Sequence, residues 1–486
     1  MNPKTRTFLW LLAGTGPVVF GAGMTLLGPQ FVYGEDHAFR PIPQFLAFYA
    51  AGWAGFAAAV WMAIRRQLPL GRPLFWIVGI GIIARLVALP SDLIQENDCY
   101  RYVLDGHAVV SGVNPFRYSP EDVARDAPEP LRSELQRDDA QLVLSRIGYP
   151  EISTIYPPAA QAAFALGAAI VPWHWMGQRI VFLLADIATM LLIMAALRRF
   201  GLPVINGVFY AWNPIIIKEV ANSAHLDSLV GLFVMAILIA MRNWGERGGM
   251  PWLGVASLAF AGAVLSKLYP LVLFPVLAVY VLDRGGMRSL FCFVGLSTAT
   301  CVLATLPFFG VGLDRVAAGL LEYGRDWVRN DGAFGILEAT MPYPRPTAGA
   351  IVAIGALVAA WRMVRVGSNP HALVTAIQGT LLIWFLFIPA VFPWYAIGLL
   401  AVSTLRIRAW GVALSGLWCL YYMLFYLEYQ EDFHAAGWVD RWSIRVQWLQ
   451  HAPIWILLLS DVWPWKDQPN RKARTPGTAK AADHAA

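Results

Sequence analysis

The sequence predicts an all-α protein that crosses a membrane many times. Apolar residues make up 58% of its 486 residues and charged residues only 14%, whereas soluble domains are roughly 45–50% apolar. The apolar residues form long runs separated by polar connections, which is typical of multi-span helical proteins. We expect a polytopic helical bundle of about 12–14 transmembrane helices. Residues 1–464 would form one membrane domain, and residues 465–486 a basic, disordered cytoplasmic tail.

A spanning helix needs about 20 apolar residues, and fewer where the membrane is thin or the helix is buried. Several apolar runs are shorter than that, so the number of spans is uncertain by about two. In chain order, the candidate spans are 8–27, 44–64, 73–90, 179–197, 203–219, 228–241, 252–267, 270–282, 289–309, 347–361, 371–389, 394–405, 410–427 and 449–464.

The distribution of basic residues predicts the orientation, because Lys and Arg in short connections mark the cytoplasmic side. With Lys4 and Arg6 in the cytoplasm, alternate crossing places most basic connections and the basic tail on that side. Most acidic residues of the connections then lie outside. We therefore expect both termini in the cytoplasm of a bacterial inner or plasma membrane, with the functional face extracytoplasmic.

This orientation requires that the apolar segment 156–173 does not cross. Hydropathy alone favours a spanning helix there, but a crossing would move every later basic connection outside. We interpret the segment as a helix along the outer interface, started by Pro157 and Pro158 and closed near Pro172. It belongs to a long outer loop, 91–178, and a second outer loop covers 310–346.

Four marked segments meet at the outer face in this topology: NDCYRYVLDG (97–106), NSAHLD (222–227), SKLYP (266–270) and DWVRNDGAF (326–334). Asp98 and Asp105 follow a span directly, where a helix can fix their position. A carboxylate at a membrane interface can have a raised pKa and act as a general base. The alternative is that both are solvated loop acids.

SKLYP combines an ammonium group with the start of a helix. Pro270 is suited to the first turn of a helix and cannot continue the preceding one. Free backbone N–H groups beside Lys267 would attract an anion, and at a membrane boundary the obvious anion is a lipid phosphate. The alternative is a lysine that extends from a helix end towards water.

Other polar residues in apolar surroundings allow two interpretations. His225 and Asp227 can serve one site only in a turn, and otherwise Asp227 starts a helix. Arg85 and Asp186 lie inside predicted spans, where charges are usually paired, and we expect an ion pair. The four cysteines show no metal-ligand spacing, so neither a disulfide framework nor a zinc site is expected.

Seven segments, in this order, carry a resemblance to a known family: NDCYRYVLDGHAVVSGVNPF, TIYPPAAQAAFALGA, RIVFLLADIATMLL, YAWNPIIIKEVANSAHLDSL, LSKLYPLVLFP, DWVRNDGAFGIL and FPWYAIGLL. The pattern resembles the GT-C class of membrane glycosyltransferases, and within it the family 87 mannosyltransferases that depend on polyprenyl-phosphate mannose. It is distantly similar to the catalytic subunit of GPI mannosyltransferase I. The resemblance covers residues 70–400.

The resemblance implies a role for each acid of NDCYRYVLDG. Asp98 matches the proposed catalytic base of the first outer loop, and Asp105 matches a second acidic position in a catalytic or supporting role. Relatives often have paired acids at the first position. Here the neighbours are Asn97 and Cys99, which argues against a carboxylate pair for a metal.

The remaining matches imply binding residues. Lys267 and Tyr269 match the family motif that contacts the donor phosphate. The substrate-binding residues implied or suggested are Tyr100, Arg101, His225, Asp227 and Asn330. No cofactor and no metal ligand are expected, and neither is a nucleic-acid partner. The expected partners are a polyprenyl-phosphate sugar, a glycan or glycolipid acceptor, and the lipid bilayer.

The expected activity is an inverting hexosyl transfer, with mannose as the first expectation and Asp98 as the general base. A lipid-linked sugar flippase or transporter is an alternative, although no repeat between the two halves is evident. A polysaccharide ligase or polymerase, which uses a diphosphate-linked glycan, is another. Asn97 also leaves open a non-catalytic relative.

Overall fold

The computed structural model describes residues 3–31, 33–34, 37–65 and 73–462. Within these residues the structure is helical and has no β-strand, and a single isolated bridge joins Arg329 to Ala390. The predicted all-α class is therefore confirmed. The predicted tail at 465–486 lies outside the described residues.

Three long helices begin the chain: α1 (Pro3–Leu27), α2 (Ile42–Ile64) and α3 (Pro73–Ala88). Glycines allow α1 and α2 to approach closely. A Cβ added to Gly55 would lie 2.4 Å from the carbonyl oxygen of Ala13, and one added to Gly16 would lie 3.0 Å from the Gly55 Cα. Small residues at such crossings are typical of helices packed within a membrane.

The predicted outer loop contains α4 (Asp98–Val110), α5 (Pro120–Arg125), α6 (Glu129–Arg132), α7 (Asp138–Ser145) and α8 (Pro158–Ile170). Gly106 of α4 packs on α8, and an added Cβ would lie 2.3 Å from the Phe164 carbonyl oxygen. The 13 residues of α8 extend about 20 Å, less than the roughly 30 Å of a hydrocarbon core. This length fits the predicted helix that does not cross.

From Trp175 to Val462, the described residues form fifteen further α-helices. They are α9 (Trp175–Arg199), α10 (Val208–Ala211), α11 (Pro214–Ile216), α12 (Asp227–Arg247), α13 (Met250–Ser266), α14 (Phe274–Thr305), α15 (Leu313–Asp326), α16 (Ala333–Thr340), α17 (Pro344–Arg365), α18 (Pro370–Phe387), α19 (Ala396–Ser403), α20 (Ala409–Leu417), α21 (Tyr421–Tyr429), α22 (Glu431–Ala435) and α23 (Trp438–Val462). Within α14 the backbone breaks at Gly286, where φ is 69°.

Eight helical stretches among the described residues are long and apolar enough to cross a membrane. The chain is therefore an integral, multi-pass membrane protein. The count of 12–14 stays a prediction, because some predicted spans coincide with apolar helices of only 10–17 residues, such as Met250–Ser266 and Pro393–Ser403.

The predicted span 203–219 is wrong as a continuous helix. It is divided into a 3₁₀ helix (Val204–Gly207), α10, α11 and a π-helix (Ile217–Asn222). The chain breaks before Pro214, which lacks an N–H donor and disfavours helical geometry at Asn213. The Asn213 side chain accepts a hydrogen bond from the backbone N–H of Ile215 at 3.0 Å and so starts α11.

The predicted ion pair between Arg85 and Asp186 is confirmed. The Arg85 guanidinium contacts both carboxylate oxygens of Asp186, and Tyr210 donates a hydrogen bond to the same carboxylate at 2.7 Å. Arg85 also donates to the carbonyls of Gly81 and Ala211, at 2.9 and 2.7 Å. This buried network joins α3, α9 and α10, and its charges are fully paired, as the membrane interior requires.

Candidate active site

The loop that leads into α4 is fixed by the end of the π-helix. The Asn222 side chain accepts a hydrogen bond from Ile94 N at 3.1 Å and donates to Ser91 Oγ and to the Asp92 carbonyl, both at 2.7 Å. Arg179 donates to the Ser91 carbonyl at 2.8 Å and to the Asn222 carbonyl. The broken segment that replaces the predicted span thus sets the position of α4.

A glutamate covers the start of α4. Glu96 Oε1 accepts hydrogen bonds from the backbone N–H groups of Asn97 and Asp98, at 2.9 and 2.7 Å. These N–H groups have no partner within a helix and need one from outside it. Asn97 makes no side-chain cap, so Glu96 takes that role.

Three titratable groups meet at this helix start. A carboxylate oxygen of Glu96, a carboxylate oxygen of Asp98 and a ring nitrogen of His225 all lie within 4.8 Å of one another. His225 Nε2 is 2.8 Å from Glu96 Oε2 and 3.3 Å from Glu219 Oε2. The imidazole ring stacks on Trp394 with centroids 3.9 Å apart. His225 thus lies in the turn before α12, where both it and Asp227 can contribute to one site.

The pKa values in this cluster are strongly shifted. Burial raises the pKa of the Asp98 carboxyl to about 7, the Glu96 charge adds to the rise, and His225 and Lys267 oppose it. Burial alone would lower the pKa of His225, but Glu96 and Glu219 outweigh it and raise the value to about 9. At neutral pH the cluster therefore holds an imidazolium beside a carboxyl group that is near its midpoint of ionisation.

Lys267 extends from the end of α13 towards the same cluster. Its Nζ lies 3.0 and 2.9 Å from the two carboxylate oxygens of Asp227. The ammonium also lies 3.8 Å from the ring centroid of Tyr395. Tyr395 shares a 2.6 Å hydrogen bond with Tyr323. The lysine is therefore held in one orientation by a carboxylate and an aromatic ring.

These residues surround a cavity of about 1000 Å³. Of the predicted site residues, Asp98, Tyr100, Arg101 and Lys267 line it. Aromatic side chains form much of the remaining wall: Tyr33, Tyr102, Tyr149, Tyr156, Trp175, Tyr323, Trp327, Phe392, Trp394, Tyr395, Tyr421, Phe425 and Tyr429. His225 and Asp227 lie behind the wall, where they pair with Glu96 and Lys267.

Asp105 does not line the cavity. Its carboxylate contacts Arg101 at 3.1 Å, accepts from Thr154 at 2.5 Å and accepts from Gln161 at 3.1 Å. This buried network joins α4 to the segment before α8 and to α8 itself. These contacts favour the supporting role over the catalytic one for Asp105, and the assignment stays a prediction.

Two other predicted site residues also lie behind the wall. Tyr269 stacks on Trp384 with ring centroids 3.9 Å apart, and Asn330 is buried with a φ of 53°. The Asn330 side chain donates to the Val391 carbonyl at 3.2 Å and exchanges hydrogen bonds with Gln450 at 3.1–3.3 Å. Neither residue lines the cavity, and their roles in binding the donor phosphate and the substrate stay predictions.

Sequence reasoning missed Glu96, Glu219 and Trp394. Glu96 lies just outside the quoted motif, and Trp394 lay in FPWYAIGLL without a role. Glu219 had a visible signal, because Lys218 and Glu219 are adjacent charges inside the apolar run IIIKEVA. Both are buried, and Tyr422 donates a hydrogen bond to Glu219 at 2.6 Å.

Glu96, Asp98 and His225 have donor types that a divalent cation accepts, and they are close enough to share one. However, histidine ligates a metal only as neutral imidazole. Here Glu96 and Glu219 stabilise the imidazolium and raise the pKa of His225 to about 9. Without a cation the three groups form an ion-pair cluster, and a metal would have to displace the imidazolium proton to bind there. The expectation of no required metal stays a prediction.

Comparison of the chain with protein-family models, with curated proteins and with solved structures gave no significant match. The helices show an integral, multi-pass membrane protein.

Proposed function

We propose that the protein is a membrane glycosyltransferase. It transfers a hexose, with mannose as the first expectation, from a polyprenyl-monophosphate sugar to an extracytoplasmic glycan or glycolipid. The observation that supports this proposal most is the Asp98 carboxyl on the wall of an aromatic cavity, with a pKa raised to about 7 by burial and by Glu96. A general base is most effective when its pKa lies near the working pH.

The proposed reaction is a single displacement. Asp98 takes the proton of the acceptor hydroxyl while that oxygen forms a bond to the anomeric carbon. The bond between the anomeric carbon and the phosphate oxygen breaks, and the lipid phosphate leaves with the electron pair. The anomeric configuration inverts, and the reaction needs no covalent intermediate.

The leaving phosphate gains negative charge, and Lys267 is the cavity residue best suited to stabilise it. Asp227 neutralises Lys267 in the present arrangement, and 18% of the lysine side chain stays exposed. The His225 imidazolium is already paired with Glu96 and Glu219, so we assign the phosphate to Lys267 alone. Preorganised cations in a partly dry site are among the largest contributions to such a transition state.

Aromatic walls fit a sugar substrate, because ring faces present apolar surface and tyrosine hydroxyls donate and accept hydrogen bonds. The expected side of the membrane follows from the basic connections, which put the cavity outside and both termini in the cytoplasm. The same resemblance to family 87 enzymes of the GT-C class supports mannose as the first sugar to test.

A lipid-linked sugar flippase is the second candidate. The observation that favours it is the broken segment with the buried Lys218 and Glu219, since interrupted helices are common at transporter binding sites. A polysaccharide ligase or polymerase differs instead in its donor, which would carry a diphosphate.

The test uses purified protein in lipid nanodiscs with polyprenyl-phosphate hexoses, a polyprenyl-diphosphate glycan and extracted acceptor glycolipids. We expect a glycosylated acceptor, detected by mass spectrometry, that forms with the monophosphate donor and with inverted configuration. Product from the diphosphate donor alone would support a ligase. Movement of the donor between leaflets of liposomes without any new glycosidic bond would support a flippase.

A further inference from the structure

Arg146 has an unusual setting on the cavity wall. It follows α7, and its guanidinium lies near two rings, 5.3 Å from the Tyr33 centroid and 5.5 Å from the Tyr100 centroid. The two rings contact each other edge to face, with their planes 70° apart. Its Nη1 donates a 2.9 Å hydrogen bond to the Tyr100 hydroxyl. All three residues line the cavity.

Three other cations of this wall have carboxylate partners. Arg101 pairs with Asp105 at 3.1 Å, Lys267 with Asp227 at 2.9 Å and Arg329 with Glu428 at 2.8 Å. In the described part of the chain, Arg146 forms no ion pair with a carboxylate. A guanidinium has five N–H donors, and the one hydrogen bond to Tyr100 leaves most of them for a ligand.

The position of Arg146 relative to Asp98 indicates which substrate it serves. Tyr100 lies two residues after Asp98 on α4, and Gly148 lies two residues after Arg146. Gly148 packs on Asn97, whose Nδ2 would be 2.9 Å from a Cβ added to the glycine. The Arg146 loop is therefore built directly against the start of α4, where the acceptor hydroxyl has to meet the base.

Resting on the proposed function, we infer that Tyr33, Tyr100 and Arg146 form a subsite for an anionic oxygen group of the acceptor. Carboxylate and phosphate groups each offer two oxygens that match the fork of a guanidinium, which binds them through two parallel hydrogen bonds. The contacts with the two tyrosine rings and the hydrogen bond to Tyr100 restrict the orientation of this fork before the ligand arrives. The acceptor is thus a phosphate-bearing or uronate-bearing glycolipid, and Lys267 serves the donor phosphate separately.

The experiment compares three acceptors that share a terminal hexose: a phosphodiester-linked lipid, a lipid with an adjacent uronic acid, and a neutral diacylglycerol glycoside. The variants are Arg146→Gln, Arg146→Lys and, as a matched control on the same wall, Arg329→Gln. We expect Arg146→Gln to lower kcat/KM for one anionic acceptor by about 10- to 100-fold. The neutral acceptor should change by less than about threefold, and the donor KM should not change.

Arg146→Lys keeps the charge but loses the planar fork, so its kcat/KM for the anionic acceptor should lie between those of the wild type and Arg146→Gln. The acceptor whose kcat/KM falls most identifies the anion as phosphate or carboxylate. An equal loss on all three acceptors, or a raised donor KM with the acceptor parameters unchanged, would overturn the subsite.

Binding of the same three lipids without donor, followed by native mass spectrometry, tests the subsite independently of turnover. Arg146-dependent binding of an anionic lipid, in a protein that transfers no hexose, would refute the glycosyltransferase proposal and keep the anion site. Equal binding of all lipids by wild type and Arg146→Gln would refute the anion site, whatever the turnover shows.

Discussion

The two carboxylates of α4 have different surroundings, although they lie seven residues apart and so on the same helical face. Asp98 faces a cavity and has Glu96, which raises its pKa, as a neighbour. Asp105 is buried and is satisfied by Arg101 and Thr154. The residue type is the same, but burial and Glu96 give one carboxyl group a near-neutral pKa, whereas the other is held in a hydrogen-bond network. This difference is why we propose Asp98, rather than Asp105, as the base.

The strongest test of this difference compares the turnover of two variants, Asp98→Asn and Asp105→Asn. Asparagine keeps the shape of either side chain but accepts no proton. If Asp98 is the base, Asp98→Asn should lower kcat by roughly 10²–10⁴-fold, while Asp105→Asn should stay within about tenfold of the wild type. Turnover of purified protein with saturating donor gives both values. The assignment fails if Asp98→Asn turns over normally, or if a folded Asp105→Asn loses as much.

The next largest effect is expected at Lys267, the positive charge that acts on Asp98. Lys267→Ala should lower kcat/KM for the donor by about 10²–10³-fold, because it removes a cation from the leaving phosphate. The same change leaves Asp227 buried without its partner, and this alone could impair the protein.

A double variant, Asp227→Asn with Lys267→Met, separates the two explanations. It removes both charges and so restores the balance of the buried pair. If Lys267 contacts the donor phosphate, donor kinetics should stay impaired in the double variant. Recovery of normal donor kinetics would show that the lysine only neutralises Asp227.

The third test concerns Asp105 itself and measures stability. Asp105→Ala removes the acceptor used by Thr154 and Gln161 and leaves Arg101 without its carboxylate. The free energy of unfolding should fall by about 1–3 kcal/mol, seen as a lower melting temperature in detergent. The pH profile of the remaining activity should keep its shape. A displaced pH profile with unchanged stability would instead place Asp105 in the chemistry.

Sequence reasoning predicted local features better than long-range ones. The end of a helix at Lys267 followed from Pro270. The Arg85–Asp186 pair spans 101 positions but could still be predicted, because charges inside apolar spans need partners. The difference between the two acids of α4 did not follow, because Thr154 and Gln161 come 49 and 56 positions after Asp105. Glu219 had a local signal in IIIKEVA, but its place in the site did not follow from it, because its partner Tyr422 lies 203 positions later.

The break at Pro214 illustrates the same limit within one segment. The proline was visible in YAWNPIIIKEVAN, but apolar residues on both sides made the segment look like a span. The structure needs the break, because Asn222 must reach the loop at Ser91 and Asp92. Only the tertiary arrangement shows that requirement.

The smallest effect concerns the pH dependence that Glu96 gives to Asp98. The base works as a carboxylate, so kcat/KM should rise with pH and level off above the Asp98 pKa of about 7. His225 holds the pKa of Glu96 below its usual range against the effect of burial, so Glu96 is ionised near neutrality and its charge raises the Asp98 pKa. Glu96→Gln keeps an oxygen for the N–H groups of Asn97 and Asp98 but removes that charge.

The Asp98 pKa should then fall and the rising limb should move to lower pH, while Glu219 still supports the imidazolium of His225. At pH 6, one unit below the wild-type pKa, only about a tenth of Asp98 is ionised. Activity at pH 6, relative to the plateau of the same variant, should therefore increase by at most about tenfold. Asp105→Asn is the matched control and should leave the limb in place. A limb that moves to higher pH in Glu96→Gln would mean that Glu96 acts mainly through His225, and the contrast between the two ends of α4 would then depend on the imidazolium rather than on the paired acids.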